Sequence, residues 1–268
     1  MRIFLLITSF LLVFSACQSD SKADKREDAT TSTETQDTAP AKKYTLTPFS
    51  ASPAFEDAKI ESVNRTEGNM EFTLAEGTSY ELGAQTEDAP QKNCANSAKG
   101  QHIHALVDDQ PYAARYTASF DDLKMEDGDH YFLAFLSRSY HESIKTASAH
   151  TALKVNVKDN SFASTEPISD PMIWYSRPKG TYKGEADTKK VMLDFYLINT
   201  DLNGGNQVKA DINGEVHMID TWQPYYIEGL PMGENTITLS LLDKDGNLVE
   251  APQNPISRTF TLAEAIGE

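Results

Sequence analysis

Shifted by 105 positions, the chain lines up with itself, and no other feature constrains its fold as much. Residues 100–110 (GQHIHALVDDQ) lie over 205–215 (GNQVKADINGE), and 125–136 (MEDGDHYFLAFL) lie over 230–241 (LPMGENTITLSL), without a gap. Identities are few. What coincides is the apolar alternation and the glycine ahead of the second segment, so two copies of one unit is the economical reading.

Each copy reads as β-structure. Ile103, Ala105 and Val107 alternate with polar partners, as do Val208, Ala210 and Ile212, and Ile237, Leu239 and Leu241 repeat the pattern. Asn213-Gly214 is a strong two-residue hairpin signal, and residues 109–111 mark the equivalent turn in the first copy. Further strands are expected over 70–74, 152–157, 191–198 and 257–262, and no window of eleven or more carries a helical period. Short strands at this spacing predict an all-β chain of two tandem immunoglobulin-like β-sandwich domains. The join is expected near 160–170, giving domains over 44–162 and 163–268.

The repeat also sets strand phase. In the second copy the outward phase is Gln207, Lys209 and Asp211, then Thr236, Thr238 and Ser240. Carried across, the first copy buries Ile103, Ala105 and Val107, and turns His102, His104 and Leu106 outward. It likewise buries Phe132, Ala134 and Leu136 and turns out Tyr131, Leu133 and Phe135. As antiparallel neighbours these strands present an apolar face that needs a cover. The same end of the sandwich gathers His141 and His150, and an insertion of roughly eighteen residues, absent from the second copy by the repeat alignment, brings Cys94 within reach. The second copy has Gln207, Lys209 and Pro255 at the matching histidine positions.

Three readings of this cluster stand. His102, His104 and His141, with His150 or Cys94, bind Cu or Zn, since a His-x-His strand puts two imidazoles on one face ~7 Å apart. Alternatively the face docks the other domain or a protein partner. In the third, the histidines only hold loops by hydrogen bonds.

The N-terminus carries an address. Arg2 precedes an apolar run from Ile3 to Phe14, too short to span ~30 Å of hydrocarbon at ~1.5 Å per residue. Residues 14–17 (FSAC) resemble the lipobox of bacterial lipoproteins, with Phe where Leu is commoner. That resemblance implies cleavage after residue 16 and lipid on Cys17; the alternative is an ordinary secreted protein. Apart from Cys17, two glutamines and a proline, residues 17–43 are Ser, Thr, Ala and charged residues without an aromatic, the composition of a disordered tether. Gln18, in place of Asp, favours the outer membrane of a Gram-negative cell envelope over retention in the inner one. The tether's charges nearly cancel, so the formal charge of -16 falls on the remainder and disfavours nucleic acid as a partner.

Residues 93–104 (NCANSAKGQHIH), 137–143 (SRSYHES) and 175–182 (YSRPKGTY) resemble a family of two-domain bacterial envelope lipoproteins often labelled phosphopeptide-binding proteins. Residues 136–141 (LSRSYH) are similar to the phosphate-reading segment of forkhead-associated domains, but the histidine comes one residue late, which moves it to the other face. Arg138 and Arg177 are the candidates for holding an oxyanion. No nucleophile elbow, phosphate loop or singled-out carboxylate pair suggests catalysis. Trp174 and Trp222 are expected in the core of the second copy, with sugar stacking by Trp222, Tyr225 and Tyr226 the alternative. Asp194, an acid in an apolar strand, is read as an outward residue or the buried partner of a loop amide.

Overall fold

The computed structural model describes residues 43–265. The expected signal segment, Cys17 and the expected tether through residue 42 lie outside the described residues.

Seventeen strands follow in order. The first nine are β1 (Thr45–Pro48), β2 (Ile60–Thr66), β3 (Asn69–Leu74), β4 (His102–Val107), β5 (Ala113–Arg115), β6 (Ser119–Phe120), β7 (Gly128–Ser137), β8 (His150–Lys158) and β9 (Ser161–Pro167). Then come β10 (Met172–Arg177), β11 (Gly180–Lys183), one helical turn α1 (Glu185–Thr188), β12 (Val191–Ile198) and β13 (Gln207–Ile212). The chain ends with β14 (Glu215–Ile219), β15 (Tyr225–Glu228), β16 (Gly233–Leu242) and β17 (Ile256–Ala263). They form four sheets, ordered β2-β3-β6, β5-β4-β7-β8-β9, β1-β15-β12-β10 and β11-β17-β16-β13-β14.

The 105-residue repeat survives in the pairing. His102 stands opposite Ser137 and Val107 opposite Phe132 in β4–β7, while Gln207 stands opposite Leu242 and Ile212 opposite Ile237 in β13–β16. A period-two apolar pattern fixes such a register, because a slip of one residue would turn the whole core face to the other side.

Alternation then distributes side chains among three apolar layers. Ile103, Ala105, Val107, Phe132, Ala134 and Leu136 fill the core between the first two sheets. Val208, Ala210, Ile212, Ile237, Leu239 and Leu241 join Ile173, Tyr175, Leu193 and Phe195 between the last two. Between these lobes lies a third layer, in which Leu106, Leu133 and Phe135 of the first meet Met172, Trp174, Tyr196 and Ile198 of the second. Strands with apolar residues on both faces therefore belong to the inner sheets: β4, β10 and β12 are buried along their whole length, whereas β13 is buried only at alternate positions. The described residues form one compact unit.

Three placements differ from the sequence expectations. β1, in the stretch assigned to the first domain, pairs with β15 in the second lobe, so the described residues start in the second lobe and then cross to the first. β9 pairs with β8 through Pro167, so the passage between lobes falls after Pro167 and not at residue 162. Trp174 sits in the layer between lobes, not in the second core, because it follows Ile173 on an alternating strand and so takes the opposite face. Trp222 is half-buried against both the second core and that layer, and its indole N–H donates to the Phe195 carbonyl.

Polar groups fasten the layer too. Asp194, fully buried, accepts from the Ser143 amide (2.9 Å) and the Lys145 ammonium (2.8 Å), both in the first lobe's loop after β7. The acid that interrupts the apolar β12 run is thus the partner of a loop amide. Tyr225 and Tyr226 turn their hydroxyls to the Thr221 and Lys92 carbonyls, and both rings are buried.

Candidate metal centre

His102 and His104 project from one face of β4, and their Nε2 atoms stand 2.9 Å apart. The third ring comes from a turn. After β7 the chain folds back on itself, with the Arg138 amide bonded to the Glu142 carbonyl and the His141 amide to the Arg138 carbonyl. This turn puts His141 at φ 70°, a left-handed conformation uncommon for a non-glycine residue and a place where backbone strain is held. Its Nδ1 thereby reaches 2.9 Å from His102 Nε2. One nitrogen from each of the three rings lies within 4.8 Å of the others.

Hydrogen bonding fixes the His102 tautomer. His102 Nδ1 is 2.8 Å from the Gly100 carbonyl, which can only accept, so that nitrogen carries the proton and Nε2 offers a lone pair. Ser176 Oγ lies 3.4 Å from His104 Nδ1. His102 Nε2 thus has one lone pair and two neighbouring ring nitrogens, more than a single in-plane acceptor can serve. A cation accepting a lone pair from each ring satisfies all three. Nitrogens at about 2.0–2.1 Å from a tetrahedral ion stand ~3.3 Å apart, so the two 2.9 Å pairs need to part by a few tenths of an ångström, while the His104–His141 pair, within 4.8 Å, has to draw closer.

The second sheet layer seals the site. His102 and His104 are completely buried and His141 is half-buried. Burial pushes the His102 imidazole down to about 4, with Arg177 adding to the effect. His104 and His141 are held well below the usual imidazole range, first by burial and then by neighbouring histidines, Arg177 and Lys179. All three rings are neutral at pH 7, the form that ligates a metal. Tyr112 stacks on His104 with centroids 3.7 Å apart and planes 9° apart, and Tyr116 lies 4.9 Å from His102.

Gly100 holds the His102 carbonyl partner in place. At φ 83° it packs so tightly that an added Cβ would fall 2.2 Å from the Gly83 carbonyl oxygen. Gly100→Ala is therefore expected to destabilise the protein by about 2 kcal/mol or more. Because a histidine's outer hydrogen bond orients it as a ligand, metal affinity should also fall about 10–100-fold, measured by titration calorimetry.

The remaining candidates lie elsewhere. His150 is half-buried opposite Phe135 with its ring 5.1 Å from Tyr196, outside the trio. Cys94 packs beside Phe49, Tyr140, Met192 and Tyr226, where burial pushes its thiol up to about 12, and it lines a cleft of about 960 Å³ between residues 85–96 and 185–190. Leu133 and Phe135 are fully buried between the lobes, and Tyr131 packs against the edge of the same layer. The two arginines take separate partners. Arg138 donates to the Pro53 carbonyl and pairs with Glu142 at 3.6 Å, Arg177 donates to the Tyr112 hydroxyl at 2.7 Å, and the Nε of each is buried without a hydrogen-bond partner. Tyr112, Ser176 and Lys179 were not singled out from sequence. Ser176 and Lys179 belong to the other copy, and only the docking of lobes brings them to the histidines.

No protein-family model and no curated protein matches the chain. Among solved structures, it is similar to fibronectin(III)-like modules of Clostridium thermocellum CbhA, at 12% identity and TM-score 0.28 over 84% of this chain and 97% of that one. It is also similar to the central fibronectin-III array of RIM-binding protein, at 10% identity and TM-score 0.27 over 82% and 72%. A third is a Ca2+-stabilised, ice-binding adhesin of an Antarctic bacterium, at 10% identity and TM-score 0.22 over 82% and 48%. The all-β arrangement rests on the strand pairing itself, and nothing about the histidine site rests on these likenesses.

Proposed function

We propose that this protein is a binding module of a bacterial cell envelope, in which two tandem immunoglobulin-like sandwiches hold one Cu or Zn ion through His102, His104 and His141. Lipid on Cys17 would anchor it, and residues 17–43 would tether it to the outer membrane of a Gram-negative cell. The observation that carries the metal reading is the convergence of three ring nitrogens within 4.8 Å, with the His102 proton already committed to the Gly100 carbonyl. An all-nitrogen set of neutral imidazoles suits Cu or Zn and disfavours Ca or Mg, which take oxygen.

The test is direct. Protein purified without a histidine tag should bind about one equivalent of Cu(II) or Zn(II) by elemental analysis. His102→Gln with His104→Gln should weaken that binding by more than about 100-fold. Stoichiometric uptake that survives the double substitution would sink the site.

A second reading is favoured by Val216 and Met218, 43% and 47% exposed on β14, which has β13 as its one strand neighbour among the described residues. Such an edge suits a protein-interaction module. That reading requires partner binding to be indifferent to the same histidine substitutions.

A further inference from the structure

The composition and burial of the histidine trio carry an inference that rests on the metal-binding reading and names the ion. All three donors are ring nitrogens, and neither a carboxylate nor a thiol belongs to the group. Glu142, next to His141 in the chain, is already engaged: its carboxylate accepts from the Ser52 hydroxyl and pairs with Arg138 at 3.6 Å. Cys94 packs in a different cluster, beside Met192 and Tyr226. The surroundings of the trio are aromatic. Tyr112 covers the His104 ring at 3.7 Å with planes 9° apart, Phe135 lies 5.0 Å from the same ring, and Tyr116 lies 4.9 Å from His102. His102 and His104 are completely buried, and only His141 keeps an exposed edge.

Charge decides between ions in such a place. The Born cost of leaving water grows with the square of the charge, so a dication loses roughly four times what a monocation of equal size loses. Neutral imidazoles offset part of that cost, but without an anionic ligand a divalent ion keeps its whole charge among the rings. Aromatic faces, by contrast, suit a monocation. Coordination number points the same way. Cu(II) favours a tetragonal set, and Zn(II) on three protein ligands keeps a water in its fourth position. Cu(I) has a closed d shell and is satisfied by three donors. Thiolates and thioethers are its softest ligands, and here low charge and low coordination number take the place of softness. We infer that His102, His104 and His141 form a three-nitrogen site for monovalent copper, held more tightly than Cu(II) or Zn(II).

The preference comes from the covering of the strand more than from the ligands. The same three imidazoles facing water would leave a dication most of its hydration. Here the trio lies in the layer between the lobes, where Ser176 of β10 reaches His104 Nδ1 at 3.4 Å. Docking of the second lobe thus sets the charge of the ion that β4 and the turn after β7 hold.

The whole chain, titrated without oxygen with Cu(I) against the chromogenic chelator bicinchoninate, tests the inference beside chelator competitions for Cu(II) and Zn(II). Wild type should take up one Cu(I) and hold it at least about 100-fold more tightly than either dication. Tyr116 is half-buried and is not a ligand, so Tyr116→Glu adds a negative charge beside His102 and should narrow that preference about tenfold. The wild-type comparison decides even where Tyr116→Glu fails to fold. Zn(II) or Cu(II) bound as tightly as Cu(I), or a preference unmoved in a folded Tyr116→Glu, would overturn the monovalent site and leave the metal reading standing. No uptake of any of the three ions by wild type would overturn both.

Discussion

Trp174→Ala is expected to lower the unfolding free energy by about 3–5 kcal/mol, the range for deleting a buried large aromatic. Trp174 is completely buried in the layer between lobes, packed with Leu133, Phe135 and Tyr196. Phe135 stacks on Tyr196 at 4.9 Å, and Tyr196 meets Trp222 edge-on at 5.2 Å, so one truncation loosens a connected set of rings from both lobes. The indole N–H of Trp174 is buried without a partner. Trp174→Phe removes that unsatisfied donor while keeping most of the apolar contact, and should therefore cost far less than the alanine change. Urea titrations of the two variants check this, and a phenylalanine variant as unstable as the alanine one would contradict it. Leu133→Asp places a charge in the same layer and should open the lobes, read as a larger radius of gyration in small-angle scattering.

How much of this was legible in the sequence depends on whether the signal was local. The register of β4 against β7 and of β13 against β16 could be read because each strand alternates cleanly and the two copies support one another. The same phase put His102 and His104 on the face of Leu133 and Phe135, where the lobes meet. The lobe boundary was not legible. β9 (SFASTEP) is a polar edge strand, indistinguishable by composition from a linker, and only its pairing with β8 shows its lobe. The fate of Trp174 was hidden for a different reason. β10 and β12 are apolar on both faces, and periodicity cannot say which face meets the lobe's own core and which meets its neighbour. Cys94 and His150 shared the expected end of the sandwich, but at these positions loop conformation decides the last few ångströms. Burial of the trio itself was not foreseeable, since a histidine on the outward phase of one sandwich is covered only once the other docks.

That burial sets the second large expectation, a loss of stability in mild acid by the metal-free protein. His102 falls from the ordinary imidazole value of 6.5 to about 4 in the folded state, chiefly through burial. Its depressed value means the unfolded chain binds a proton more tightly than the folded one. Stability is thus fully present above pH 6.5 and is lost as the pH falls from there through about 4. For His102 alone the loss approaches roughly 3 kcal/mol, and His104 and His141 shift in the same direction. His130 has the opposite sign. Burial is the largest single influence and works against its charge, but the bonds to Asp108 and the Glu126 carbonyl, with the nearby Asp108 and Asp129 charges, together outweigh it and raise it, so its contribution is present below the ordinary value and is lost as the pH rises. It is partly exposed and paired with a half-exposed carboxylate, which makes it the smaller effect. The midpoint of thermal unfolding should therefore drop steeply between pH 6.5 and 4. Replacing His102, His104 and His141 together by glutamine, a neutral residue at every pH, should flatten the curve in that window. An unchanged slope would mean that carboxylates elsewhere, and not the imidazoles sealed between the lobes, limit this protein in acid.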